Sequence, residues 1–120
     1  MAAVRYLVDD LDAAVGFYVD RLGFAIREDW GPVVVVTRGD IELWLSGPGS
    51  SAARTYPGEV RPLGGGWNRL VLMLDDLDPL LTELADAGVP VRDEVLESPA
   101  GRWIVVDDPA GNPVKLFESP

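Results

Sequence analysis

The chain carries two copies of one pattern, and this duplication restricts the possible folds more than any other feature. Leu7-Val8-Asp9-Asp10-Leu11-Asp12 returns as Met73-Leu74-Asp75-Asp76-Leu77-Asp78, each copy leading from an apolar strand-like run into a helix-like one. The far ends correspond as well: Gly39-Asp40 before Ile41-Glu42-Leu43-Trp44 is echoed by Gly111-Asn112 before Val114-Lys115-Leu116-Phe117. Internal self-similarity of this kind marks a supersecondary unit used twice. Asp-Asp-Leu-Asp alone is a common way to start a helix; the second match downstream is what argues for duplication.

Within the first copy, Val4 to Val8 is short and β-rich, and Asp9 or Asp10 supplies an N-cap oxygen. Leu11, Ala14, Val15, Tyr18 and Leu22 then recur at helical spacing until Gly23. Phe24 to Trp30, Val33 to Thr37 and Ile41 to Ser46 follow as strands, separated by the turn signals Gly31-Pro32 and Gly39-Asp40. The second copy reads the same way. Trp67 to Leu74 is a strand, and Leu77 to Ala87 is a helix with Pro79 in its first turn and Gly88 past its end. Val89 to Val95, Trp103 to Val106 and Val114 to Glu118 are the remaining strands. The expected class is α+β: two βαβββ modules, at 1–46 and 67–120. Between them 47–66, rich in Gly, Pro, Ser and Ala, is a linker or a loop over the site.

Composition removes whole classes of function. Twenty acidic residues against ten basic ones give a formal charge of −10, which repels nucleic acid and anionic membrane. With no cysteine and no histidine there is no thiolate, no disulfide and no imidazole base or ligand. No apolar run approaches the roughly 18 residues of a spanning helix, and the N-terminus has no basic segment leading into an apolar one. The expectation is one cytoplasmic domain of 120 residues.

Val8-Asp9-Asp10-Leu11, with Phe17-Tyr18 and Leu22-Gly23-Phe24, resembles the strand-to-helix signature of the vicinal oxygen chelate superfamily. Asp108-Pro109-Ala110-Gly111-Asn112 before an alternating strand resembles its closing motif. That superfamily includes glyoxalase I, extradiol dioxygenases and bleomycin-resistance proteins. The resemblance covers nearly the whole chain and implies two βαβββ modules curled into a cup-like half-barrel that holds a ligand. It implies a homodimer too, with 47–66 long enough to permit module exchange. In catalytic members a divalent metal is held by four side chains, and the carried-over positions fall at Ala3, Glu42, Arg69 and Lys115. Glu42 alone has a donor oxygen there. Ala3 has none, and Arg69 and Lys115 bring positive charge, so no metal or other cofactor is expected.

Two roles remain open for Glu42, Arg69 and Lys115. They form an ion-paired cluster in place of the metal, or their surplus positive charge, joined by Arg5, engages a carboxylate, phenolate or carbonyl of a small ligand. The chain has four tryptophans. Trp44 lies two residues after Glu42 and Phe117 two after Lys115, so strand alternation puts both rings on the face of the former ligand positions, which suits a planar organic ligand. Trp103 joins them as a candidate, and the facing of Tyr6, Trp30, Trp67 and Trp103 stays open. The resulting reading is metal-independent sequestration of a small aromatic or hydrophobic molecule, like the bleomycin-resistance branch. Its contacts are Arg5, Glu42, Trp44, Arg69, Trp103, Lys115 and Phe117. One alternative is a metal-dependent lyase, isomerase or dioxygenase that adds Asp40, Asp107 or Glu118 to Glu42. Another is a metal-free enzyme with Glu42 as catalytic base, a role that neighbouring cations weaken.

Overall fold

The computed structural model describes residues 2–58 and 60–120; residue 59, inside the expected 47–66 linker, lies outside them. The chain divides into two compact units, Met1–Gly65 and Gly66–Pro120.

The first unit runs β1 (Val4–Leu7), α1 (Leu11–Gly16), β2 (Ala25–Asp29), β3 (Val33–Arg38) and β4 (Ile41–Ser46). Its open sheet has the order β1-β4-β3-β2, with β1 parallel to β4 and the other pairs antiparallel. The first strand of the βαβββ unit thus pairs with its last. Asp10, in extended conformation, caps α1 by accepting the Ala13 N–H at 3.0 Å. The expected helix to Leu22 does not continue as α-helix: Phe17–Arg21 is a π-helical stretch. It closes where Gly23, at φ +76°, lets the Phe24 N–H donate to the Tyr18 carbonyl at 3.0 Å. Its wider turn seats Phe17 and Tyr18 side by side, edge-to-face, with Tyr18 also edge-to-face on Phe24. Ala14, Tyr18, Leu43, Leu45 and Val36 are essentially without solvent contact and form the core between helix and sheet.

The second unit repeats the plan: β5 (Leu70–Leu74), α2 (Leu77–Asp86), β6 (Leu96–Ser98), β7 (Gly101–Asp107) and β8 (Pro113–Glu118), in the order β5-β8-β7-β6. The α+β reading as two βαβββ modules holds in both sequence order and strand order. Leu77 and Leu84 bury one face of α2 with Leu116 and Val114 beneath, each leucine worth about 1.5–3 kcal/mol over its exposed state.

Two elements depart from expectation. The strand expected over Val89 to Val95 is reduced to one bridge, Val91 to Val106, and the edge strand falls at Leu96–Ser98 instead. Pro90 removes a ladder donor, and Asp93 sits at φ +97°, a conformation no ladder accepts. The strand expected from Trp67 begins at Leu70, leaving Trp67 93% exposed. The segment after β4 belongs to the first unit, where Ser51–Ala53 makes a 3₁₀ turn. No helix among the described residues is long and apolar enough to cross a membrane.

Candidate functional site

In each sheet one face carries the helix and the other does not, and strand alternation sorts the candidate residues between them. On β4 of the first unit, Leu43 and Leu45 point to the helix, whereas Glu42, Trp44 and Ser46 point to the open face. Register extends that face across the sheet, setting Arg5 of β1 beside Trp44, and Thr37 and Val35 of β3 opposite Glu42 and Trp44.

Glu42 is 8% exposed, so its carboxylate requires partners. Its Oε1 accepts from Arg27 Nη1 at 2.5 Å and from the indole Trp44 Nε1 at 3.3 Å. Arg27 owes its position to an irregularity in β2. Ile26 pairs with Val36 and Glu28 with Val35, so Arg27 is the extra residue of a β-bulge. Such bulges re-aim a side chain, and this one sends the guanidinium across β3, a span of roughly two 4.8 Å strand spacings. Arg5 is held differently. Its Nε donates to Ser46 Oγ at 3.1 Å, its Nη1 donates to Ser51 Oγ at 3.3 Å, and its guanidinium lies 5.6 Å from the Trp44 ring centroid. Trp30, half exposed in the β2–β3 turn, meets Trp44 edge-to-face at 5.1 Å.

The open face of the second unit is more apolar. Val71 and Met73 of β5 and Leu96 of β6 are exposed there; register sets Met73 and Trp103 on either side of Phe117, and Leu96 beside Trp103. Trp103 and Phe117 stack at 6.4 Å, and the Lys115 ammonium lies 4.4 Å from the Trp103 centroid and 5.6 Å from that of Phe117. The charged network of this unit is on the helix side instead. Glu118 Oε2 accepts the Leu77 N–H at the start of α2 at 2.6 Å and Arg102 Nη2 at 3.3 Å, and Arg102 also pairs with Asp78. The Leu77 N–H first, and the Arg102 guanidinium second, hold the Glu118 carboxyl below the ordinary glutamate range.

The structure therefore gathers Arg5, Glu42 and Trp44 in one group and Trp103, Lys115 and Phe117 in another. Arg69 is exposed, just before β5, and has no ion pair among the described residues. The ion-pair partner of Glu42 is Arg27, in its own unit, rather than Arg69 or Lys115. Tyr6 is buried on the helix side of the first sheet. Arg27 and Trp30 were absent from the sequence-based set. Arg27 reaches Glu42 through a bulge that depends on the register of β2 against β3, which the pattern of β2 by itself does not signal.

Of the four positions to which the resemblance carries the superfamily's metal ligands, Glu42 alone offers an oxygen, and that carboxylate already holds a guanidinium and an indole. Lys115 rests on aromatic rings. This donor set does not fit a divalent cation, which takes several oxygen or nitrogen donors. Among the described residues no three His, Cys, Asp or Glu side chains gather. The alternative ligands are engaged elsewhere: Asp107 with Arg92 at 2.6 Å, and Glu118 at the start of α2. Asp40 is exposed in the β3–β4 turn.

Two βαβββ modules, each joining its first strand to its last and leaving one sheet face free of helix, define an α+β protein of paired modules. The chain belongs to the Glyoxalase/Bleomycin resistance protein/Dioxygenase superfamily, whose model matches residues 1–116. Among solved structures it is similar to lactoylglutathione lyase from Agrobacterium tumefaciens, at 26% identity and TM-score 0.73 over 98% of this chain and 92% of that one. It is equally similar to TnmS3, an antibiotic binding protein from a Streptomyces species, at 26% identity and TM-score 0.73 over 100% and 97%. The fosfomycin resistance protein FosX from Mesorhizobium loti shares the fold, at 15% identity and TM-score 0.73 over 100% and 92%. No protein of curated function matches the sequence.

Proposed function

We propose that this chain binds and sequesters a small aromatic or hydrophobic molecule without a metal, in the manner of an antibiotic-binding protein. One observation carries the reading. Glu42, the sole oxygen donor at the metal-ligand positions, is bound to Arg27 and Trp44. Identity does not separate a lyase from a binder, since both neighbours stand at 26%; the side chains at the site favour the binder. Within the first unit Trp30 and Trp44, and within the second Trp103 and Phe117, each supply ring faces and edges for a planar guest.

All 120 residues act as one binding domain, working in the cytoplasm as a homodimer. Light scattering at twice the 13.0 kDa chain mass is the expected result. Titration of bleomycin-like, polyketide-like and simple aromatic compounds, followed by tryptophan fluorescence, tests the binding itself. A saturable change with unaltered ligand recovered afterwards is expected. No response across all three groups, or turnover of the ligand, would overturn the reading.

A further inference from the structure

The charges on the open faces define the chemistry of the guest, an inference that rests on the proposed binding function. The chain as a whole, at −10, favours cationic molecules at long range. That field is screened within a Debye length of roughly 8–10 Å at physiological salt, so groups in contact with a ligand decide its selectivity. At contact distance the sign is opposite.

On the first module's open face, Glu42 is neutralised by Arg27. Arg5 has no carboxylate partner among the described residues: its guanidinium is positioned by two neutral hydroxyls, Ser46 and Ser51, and by the Trp44 ring. The two serines take one N–H from Nε and one from Nη1. A guanidinium has five such donors, so Nη2 and the second Nη1 hydrogen remain for a ligand. On the second module's open face, Lys115 likewise has no carboxylate partner among the described residues and rests against Trp103 and Phe117. Each module therefore presents the same element, one unneutralised cation set on a tryptophan face. The other basic side chains with described ion pairs, Arg27, Arg92 and Arg102, are matched by carboxylates.

We propose that the ligand is a planar aromatic anion, a carboxylate or phenolate on a fused or conjugated ring frame. Its charged group is taken by Arg5 or Lys115 while its ring packs against Trp44 and Trp30 or against Trp103 and Phe117. A guanidinium fixed by two hydroxyls is pre-organised for an oxyanion, and the ring beneath it stacks with the frame that carries that anion. A cationic guest of the same shape would meet like charge at both positions, with Glu42 already engaged.

Equilibrium dialysis of the full chain against naphthoate, naphthylmethanol and naphthylmethylammonium tests this with one ring and three charges. The expected order is naphthoate at least about tenfold tighter than the other two, with the margin shrinking as salt rises. Arg5→Met and Lys115→Met, each first shown to be folded by circular dichroism, are expected to remove much of the margin between naphthoate and naphthylmethanol in at least one case. Equal or tighter binding of the ammonium compound overturns the anion assignment and leaves the binding reading standing. Preference for naphthoate that survives both substitutions overturns the roles of Arg5 and Lys115. Failure of all three compounds to bind overturns this proposal, and the binding reading falls separately only if the broader compound set also fails.

Discussion

Replacing Arg27 with methionine should expose how Glu42 tolerates its burial. The carboxylate side chain is 10% exposed and the guanidinium 51% exposed, so the pair lies between a surface bridge, worth about 0–1 kcal/mol, and a fully buried one, whose rupture costs about 3–5 kcal/mol. The half-exposed arginine keeps much of its hydration, and Trp44 Nε1 continues to donate to Oε1 after the change. A loss of about 1–2 kcal/mol follows. Glu42→Gln keeps an acceptor for the indole and should cost about 1 kcal/mol. With the charge gone, Arg27→Met should then add little, giving a coupling of about 1 kcal/mol in a double-mutant cycle. Urea unfolding of the four proteins with a common m value is the assay. Additive losses, with a coupling inside about 0.3 kcal/mol, would refute the idea that the bulged arginine is what satisfies this carboxylate.

Other outcomes follow from the same structure. Gly101 sits at φ +142°, where a Cβ would run into the Glu118 carbonyl oxygen and the Phe117 ring; Gly101→Ala should lose about 1–3 kcal/mol in the same assay and disturb the Trp103–Phe117 stack. Glu118 titrates below its ordinary range because of the Leu77 N–H and then Arg102. Its contribution to stability is therefore complete above the unfolded glutamate value and is lost as pH falls through the lower folded one, so Glu118→Gln should flatten the acid limb of a melting-temperature profile. Leu84→Ala, 1% exposed on the inner face of α2, should lose about 2–5 kcal/mol. A loss under about 1 kcal/mol would show that the helix is not held by that face.

The duplicated module was legible because its signals are local. Asp10 and Asp76 are true caps, and Ile41–Ser46, bounded by Gly39-Asp40 and Gly47, is a strand at the limits its pattern indicates. Alternation along β4 and β8 was enough to place Glu42 with Trp44 and Lys115 with Phe117. The missing parts depend on long-range geometry. Arg27 reaches Glu42 through a bulge whose register is set by β3, and no period in the sequence of β2, exposed along its whole length, reveals it. The β6 edge strand lies three residues from its neighbour's start, closed by the Pro99-Ala100 turn. The apolar residues upstream of it misled, since Val89, Val91 and Val95 look like a strand but are interrupted by Pro90 and by Asp93 at positive φ, which leave only the Val91 bridge. The π-helical stretch leaves the spacing of buried residues nearly unchanged, so periodicity could not separate it from α-helix.

Metal-free binding as proposed requires Glu42 to be a neutralised structural carboxylate in an aromatic binding face rather than a metal ligand. Elemental analysis of the protein after incubation with manganese, iron, nickel or zinc and gel filtration without chelator tests this most directly, with Glu42→Ala alongside. Substoichiometric metal that is the same in both proteins is the predicted result. A stoichiometric ion retained by the natural sequence and lost with Glu42 would contradict it.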